Sequence, residues 1–137
     1  MSNSWYPKGL EYFAANFLTD NVIALLVTSA YTPAPTDQFI SDIPSGAIVS
    51  RSAAIGGKSI TGGVLNCSNF VVSLVPVGHV IKYVVFAKST GTDSTSPLLL
   101  IDDTGNNLPT TTDGGDLGYQ VSSGPNKLGA LGGTVVS

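Results

Sequence analysis

His79 and Cys67 are the two side chains of this sequence suited to acid–base or nucleophilic chemistry, and each residue type occurs once. A hydrolytic triad needs a nucleophile, an imidazole base and an acid that orients the base. Serines and aspartates are plentiful here, so their presence singles out nothing, and no Gly-x-Ser-x-Gly elbow occurs. His79 follows Gly78 in a predicted turn and reads as an ordinary turn residue. Cys67 stands between Asn66 and Ser68 and reads as a small apolar core residue. A lone cysteine forms no internal disulfide and no four-cysteine zinc site. Asp102, Asp103, Asp113 and Asp116 offer oxygen ligands of the kind a hard cation takes. However, Asp103 to Asn107 departs from the calcium-loop pattern, so these residues read as acidic turn formers on a solvated edge. The Gly-Gly pairs at 56–57, 62–63, 114–115 and 132–133 fit turns, with neither a phosphate-cradling loop nor a dinucleotide fingerprint among them. The expectation is a protein without catalysis, metal or cofactor.

Composition points the same way. The chain has 137 residues, of which 42% are hydrophobic and 11% charged, against about 25% charged in ordinary domains. Its net charge is -3, and its six Lys and Arg are scattered, a poor match for nucleic-acid phosphates. The longest apolar run, Val22 to Val27, is far too short to cross a bilayer. The start shows no basic segment leading into an apolar stretch, so no secretion signal is expected. A surface this poor in charge is either neutral and polar or covered by partner chains.

The elements that must position these residues are mostly strands. Trp5 to Leu18 predicts a helix, with Leu10, Phe13, Ala14 and Phe17 along one stripe. Val22 to Thr28 predicts a strand buried on both faces. Shorter strands are expected over 47–52, 58–61, 98–101, 108–112 and 116–121. Asn69 to Val75 and Val80 to Phe86 alternate and, with the turn at Pro76 to His79, read as an antiparallel hairpin. Frequent turn signals and one terminal helix predict a mainly β fold, an antiparallel β-sandwich or barrel-like domain. The expected core holds Phe13, Phe17, Val22, Leu26, Phe70, Val72, Leu74, Val84 and Phe86. The chain reads as one domain over 1–137: an N-terminal helix or arm (1–20), the β domain (21–121) and a glycine-rich C-terminal arm (122–137).

Three phrases then carry a resemblance. They are Gln38 to Gly46 (QFISDIPSG) running into Ala47 to Arg51, Lys88 to Leu98 (KSTGTDSTSPL) running into Ile101 and Asp102, and Leu108-Pro109 leading to Asp113 to Asp116 and then Pro125 to Lys127. In this order, across nearly the whole chain, they resemble a family of small structural proteins of tailed bacteriophages and prophages. Members carry phrases such as "FLSDIPAGARV", "YKDTGTDSTSPLIAYID" and a closing "NGGD" strand. The resemblance implies a virion component. The preferred placement is a capsid decoration or cement protein on the major capsid protein lattice of the phage head, assembled in the host cytoplasm. It would have no direct nucleic-acid or membrane partner, and a homo-oligomer would be compatible with it. Placement in the tail, tail tip or fibre is the alternative, and a carbohydrate-binding β-sandwich is a further one. Trp5 and Tyr6 before the helix, and Val135 and Val136 near the end, are the expected partner contacts, because large aromatics anchor interfaces and a glycine-flanked strand adds to a neighbour's sheet.

Overall fold

The computed structural model describes residues 16–34, 36–61, 64–103, 108–121 and 129–130. Its centre is a four-stranded antiparallel sheet in the order β2-β1-β7-β8. The strands are β1 (Val22–Val27), β2 (Ile48–Arg51), β7 (Tyr83–Lys88) and β8 (Leu98–Asp102). Every residue of β1 is buried, as its unbroken apolar run requires. The twofold alternation of a strand sends Val22, Ala24 and Leu26 to one face and Ile23, Leu25 and Val27 to the other. Strand β7 repeats the arrangement, with Val84 and Phe86 on the first face and Tyr83, Val85 and Ala87 on the second.

Each face has its own cover. The second face is closed by the stretch between β1 and β2, through Tyr31, Ile40, Ile43 and Ala47. Two short 3₁₀ turns, Ile40–Asp42 and Ser45–Ala47, fold that stretch back. Asp42 braces the first turn by accepting the Gln38 and Phe39 amides at 2.8 and 2.9 Å, and those bonds hold its carboxyl below the ordinary range.

The first face is covered by short ribbons. These are β3 (Ser59–Thr61) and β4 (Val64–Asn66) with β11 (Gly129–Ala130), β5 (Phe70–Val72) with β10 (Leu117–Tyr119), and β6 (Val80–Ile81) with β9 (Thr110–Thr111). Phe17, in helix α1 (Asn16–Thr19), packs on the same face. Gly57 sits at a left-handed backbone position, and a Cβ there would overlap the Ser68 hydroxyl, so this turn admits no larger residue without a shift. The fold is mainly β and antiparallel, as the turn spacing implies. No described sheet closes on itself.

Three expectations are corrected. The segments around 70–75 and 80–86 do not form a hairpin with each other. β5 pairs β10, β6 pairs β9, and β7 lies between β1 and β8. Residues 70–81 instead run as one irregular strand along 110–119, joined between the two ladders by Val75 N–H to Gly115 O and by Thr112 N–H to His79 O. Leu74 is not in the core but 77% exposed. Its φ of 51° breaks the alternation, turning Leu74 outward and Val75 inward. The left-handed region costs a side-chain-bearing residue about 1–2 kcal/mol. Two bonds hold the chain there: Leu74 N–H to Asp116 Oδ1 at 2.9 Å and the Val75 bond to Gly115. Finally, Val80 to Phe86 is not one strand. It breaks at Lys82, whose N–H donates to Val27 O, so Ile81 joins the face that Val84 and Phe86 occupy.

The other expected core residues that are described, Phe17, Val22, Leu26, Val72, Val84 and Phe86, are buried, and Phe70 packs partly buried against them. Phe13 and most of the expected helix lie outside the described residues.

Candidate functional site

His79 and Cys67 lie in unlike surroundings. His79 is exposed on the irregular strand, where its N–H donates to Thr112 Oγ1 at 3.0 Å. Cys67 is buried in the cluster beneath the ribbons, and burial pushes its thiol up to about 11. The thiolate is the reactive form, so this position disfavours nucleophilic attack at neutral pH.

Of the four acidic turn residues, Asp102, Asp113 and Asp116 brace the fold, and Asp103 is exposed. Asp102 Oδ2 accepts the Tyr119 hydroxyl at 2.7 Å, Asp113 Oδ1 accepts Gly115 N–H at 2.9 Å, and Asp116 holds Leu74. Among the described residues no three His, Cys, Asp or Glu side chains come together as metal ligands. The described cations are held within the molecule. Arg51 makes a two-pronged bond to Asp93, both distances 2.8 Å. Lys58 donates to the Asp20 carbonyl, Lys88 lies 3.6 Å from the Asp20 carboxylate, and Lys82 lies over the Tyr83 ring. A cavity of about 10 Å³ between Leu26, Val72, Val84, Leu108 and Leu117 has the volume of one water at most.

The loop between β7 and β8 is densely hydrogen-bonded through its own hydroxyls. Buried Ser96 accepts Thr90 N–H at 3.0 Å and donates to Thr92 O at 2.7 Å, and the Thr90 and Thr95 hydroxyls meet at 2.6 Å. Its hydroxyls therefore shape the loop, and Arg51 ties it to β2 through Asp93. Ser96→Ala takes the acceptor from the Thr90 amide, while the Thr92 carbonyl keeps Thr95 N–H and the Thr90 and Thr95 hydroxyls, so the expected loss is about 1 kcal/mol. A lowered urea midpoint at unchanged slope would register it.

The described surface also exposes large apolar side chains. Val71, Leu74, Val77 and Val80 are 57%, 77%, 67% and 51% exposed, all on the strand 70–81. They recur every third residue, and Val71, Leu74 and Val80 each stand beside an inward residue, Val72, Val75 and Ile81. An exposed row of this kind carried no signal in the sequence, because strict alternation places Leu74 inside. The expected contact residues Trp5, Tyr6, Val135 and Val136 lie outside the described residues. Gly129 and Ala130, which open the last part of the expected C-terminal arm, add a strand to β4 of the same chain. No described helix is long and apolar enough to cross a membrane.

Comparison with models of known families finds no match, and comparison with curated proteins finds none either.

Proposed function

We propose that this chain is a structural protein of a tailed-phage virion, a capsid decoration or cement protein seated on the major capsid protein lattice. The observation that carries this reading is the run of three phrases in family order across nearly the whole sequence. The geometry supports it by what those phrases do. Asp42 and Ile43 of the first build and bury a turn, Asp93 and Ser96 of the second brace a loop, and Asp113 and Asp116 of the third fix the chain beside Leu74. Their polar groups serve shape, as in a protein whose task is to fit a surface. In that role, terminal arms that bridge neighbouring capsomers would add weak contacts whose sum strengthens the shell.

Quantitative mass spectrometry of purified virions tests the reading. A copy number comparable with that of the major capsid protein is expected. A copy number on the scale of a tail or a single vertex would move the protein to the tail assembly, and absence from the particle would end the reading.

A further inference from the structure

We propose that the row Val71, Leu74, Val77 and Val80 is the face that docks on the capsid shell, in an apolar groove flanked by basic groups. The inference rests on the decoration reading and names the surface by which it operates. Three observations lead to it.

The first is display at a cost. Leu74 is the one described non-glycine residue at positive φ, and it is the most exposed of the large hydrophobic residues described. A glycine would fit that backbone without strain, yet the position carries a large aliphatic group, held outward through Asp116. The second is area. Four aliphatic side chains, half to three-quarters exposed, present on the order of 200–300 Å² of apolar surface. A stable dimer needs about 800 Å² from each partner. The row alone falls short of that, so docking buries polar surface around it as well, and the charge of that surface selects the occupant. The third is charge. Asp116 lies against Leu74, and Asp113 stands next to Gly114, which packs beside Val77. Lys82, the nearest cation along the strand, turns away over Tyr83 on the other face. Two copies meeting through this row would bring acidic rims together, which disfavours self-pairing and calls for a basic rim on the partner.

The test uses shells assembled from the encoding phage's own major capsid protein and the full-length chain as ligand. Three variants are compared with wild type: Leu74→Gly, Val77→Ser and, on the edge strand β8, Leu99→Ser as a control. Wild type is expected to bind. Leu74→Gly and Val77→Ser each bind at least tenfold more weakly, and Leu99→Ser binds as wild type does. Leu74→Gly also relieves the backbone, so its melting temperature stays level or rises while docking weakens, a combination that damaged folding cannot produce. Wild-type binding by both row variants overturns the docking face and leaves the decoration reading standing. Shells that fail to bind the wild type overturn both. A wild-type dimer in sedimentation, turned to monomer by Val77→Ser, makes a second copy the occupant and overturns the proposal.

Discussion

Phe86→Ala is expected to lower the unfolding free energy by about 3–5 kcal/mol, the range for removing a buried aromatic ring. Domains of ordinary stability hold about 5–15 kcal/mol, so this one change takes a large share. The position makes relaxation difficult. Phe86 lies in the central strand β7, opposite Ala24 of β1 and Leu100 of β8, with ladders on both sides that prevent the backbone from closing the gap. Its ring meets Tyr119 edge-on at 5.5 Å and Phe70 edge-on at 6.0 Å, while Phe70 and Tyr119 stack at 5.0 Å. Removing the ring therefore undoes two aromatic contacts and unseats β5 and β10, which carry the other two rings. Urea denaturation of Phe86→Ala and Phe86→Leu checks this, with the leucine variant losing much less. A loss below about 1 kcal/mol for alanine would mean that the trio is not the centre of the core.

The second large effect is alkaline. Burial first, and then the hydrogen bond to Asp102, hold the Tyr119 hydroxyl in its protonated form far above its ordinary value of 10. Tyr31 is raised in the same way, by burial and then by its 2.7 Å bond to Asp37. In the unfolded chain such phenols lose their protons near pH 10. Above that pH the native state binds more protons than the unfolded state, so stability falls as pH rises. Below it the two states bind protons equally, and the contribution is fully present. Tyr119 alone gives a slope of about 1.4 kcal/mol per pH unit. Cys67, raised from 9 to about 11, adds to the loss from pH 9 upward. The melting temperature is expected to stay level from pH 7 to 9 and to drop steeply above about pH 10. Tyr119→Phe should melt lower at neutral pH yet show a shallower alkaline decline. A wild-type melting temperature unchanged at pH 12 would contradict the assignment.

How much of this was legible beforehand depended on whether local pattern and long-range pairing agreed. Strand β1 is readable because both faces of its sheet are covered, so its run is apolar throughout, and β7 is readable within the alternating segment Val80 to Phe86, without its break at Lys82. The hairpin was misread at Leu74. In sequence Phe70, Val72 and Leu74 alternate as a strand should, and the left-handed turn that ejects Leu74 depends on Asp116, forty-two residues away. The same distance hid the exposed row. Strand β4 went unread because three residues beside a glycine pair resemble a turn more than a strand. The polar phrase from Lys88 to Ser96 read as loop and is one, but nothing in its composition told that Ser96 would be buried as its brace. The absence of a catalytic constellation was an expectation from single residues. The structure adds the position of each one, with His79 in solvent and Cys67 sealed in the core.

The both-faced burial of β1 also sets the order of events during synthesis. Val22 to Val27 emerges from the ribosome before either strand it pairs with, and the first of them, β2, follows within about thirty residues. Its other neighbour, β7, ends only at Lys88, and the cover on the first face reaches to Tyr119. Until then an uncharged six-residue segment of high β propensity is bare on one edge and one face. Such non-local pairing makes folding slow and leaves nascent chains open to pairing with one another. A polysome translating this gene holds several such segments close together, so the yield of correctly folded protein is expected to depend on the pace of elongation past Lys88 as well as on the stability of the finished fold.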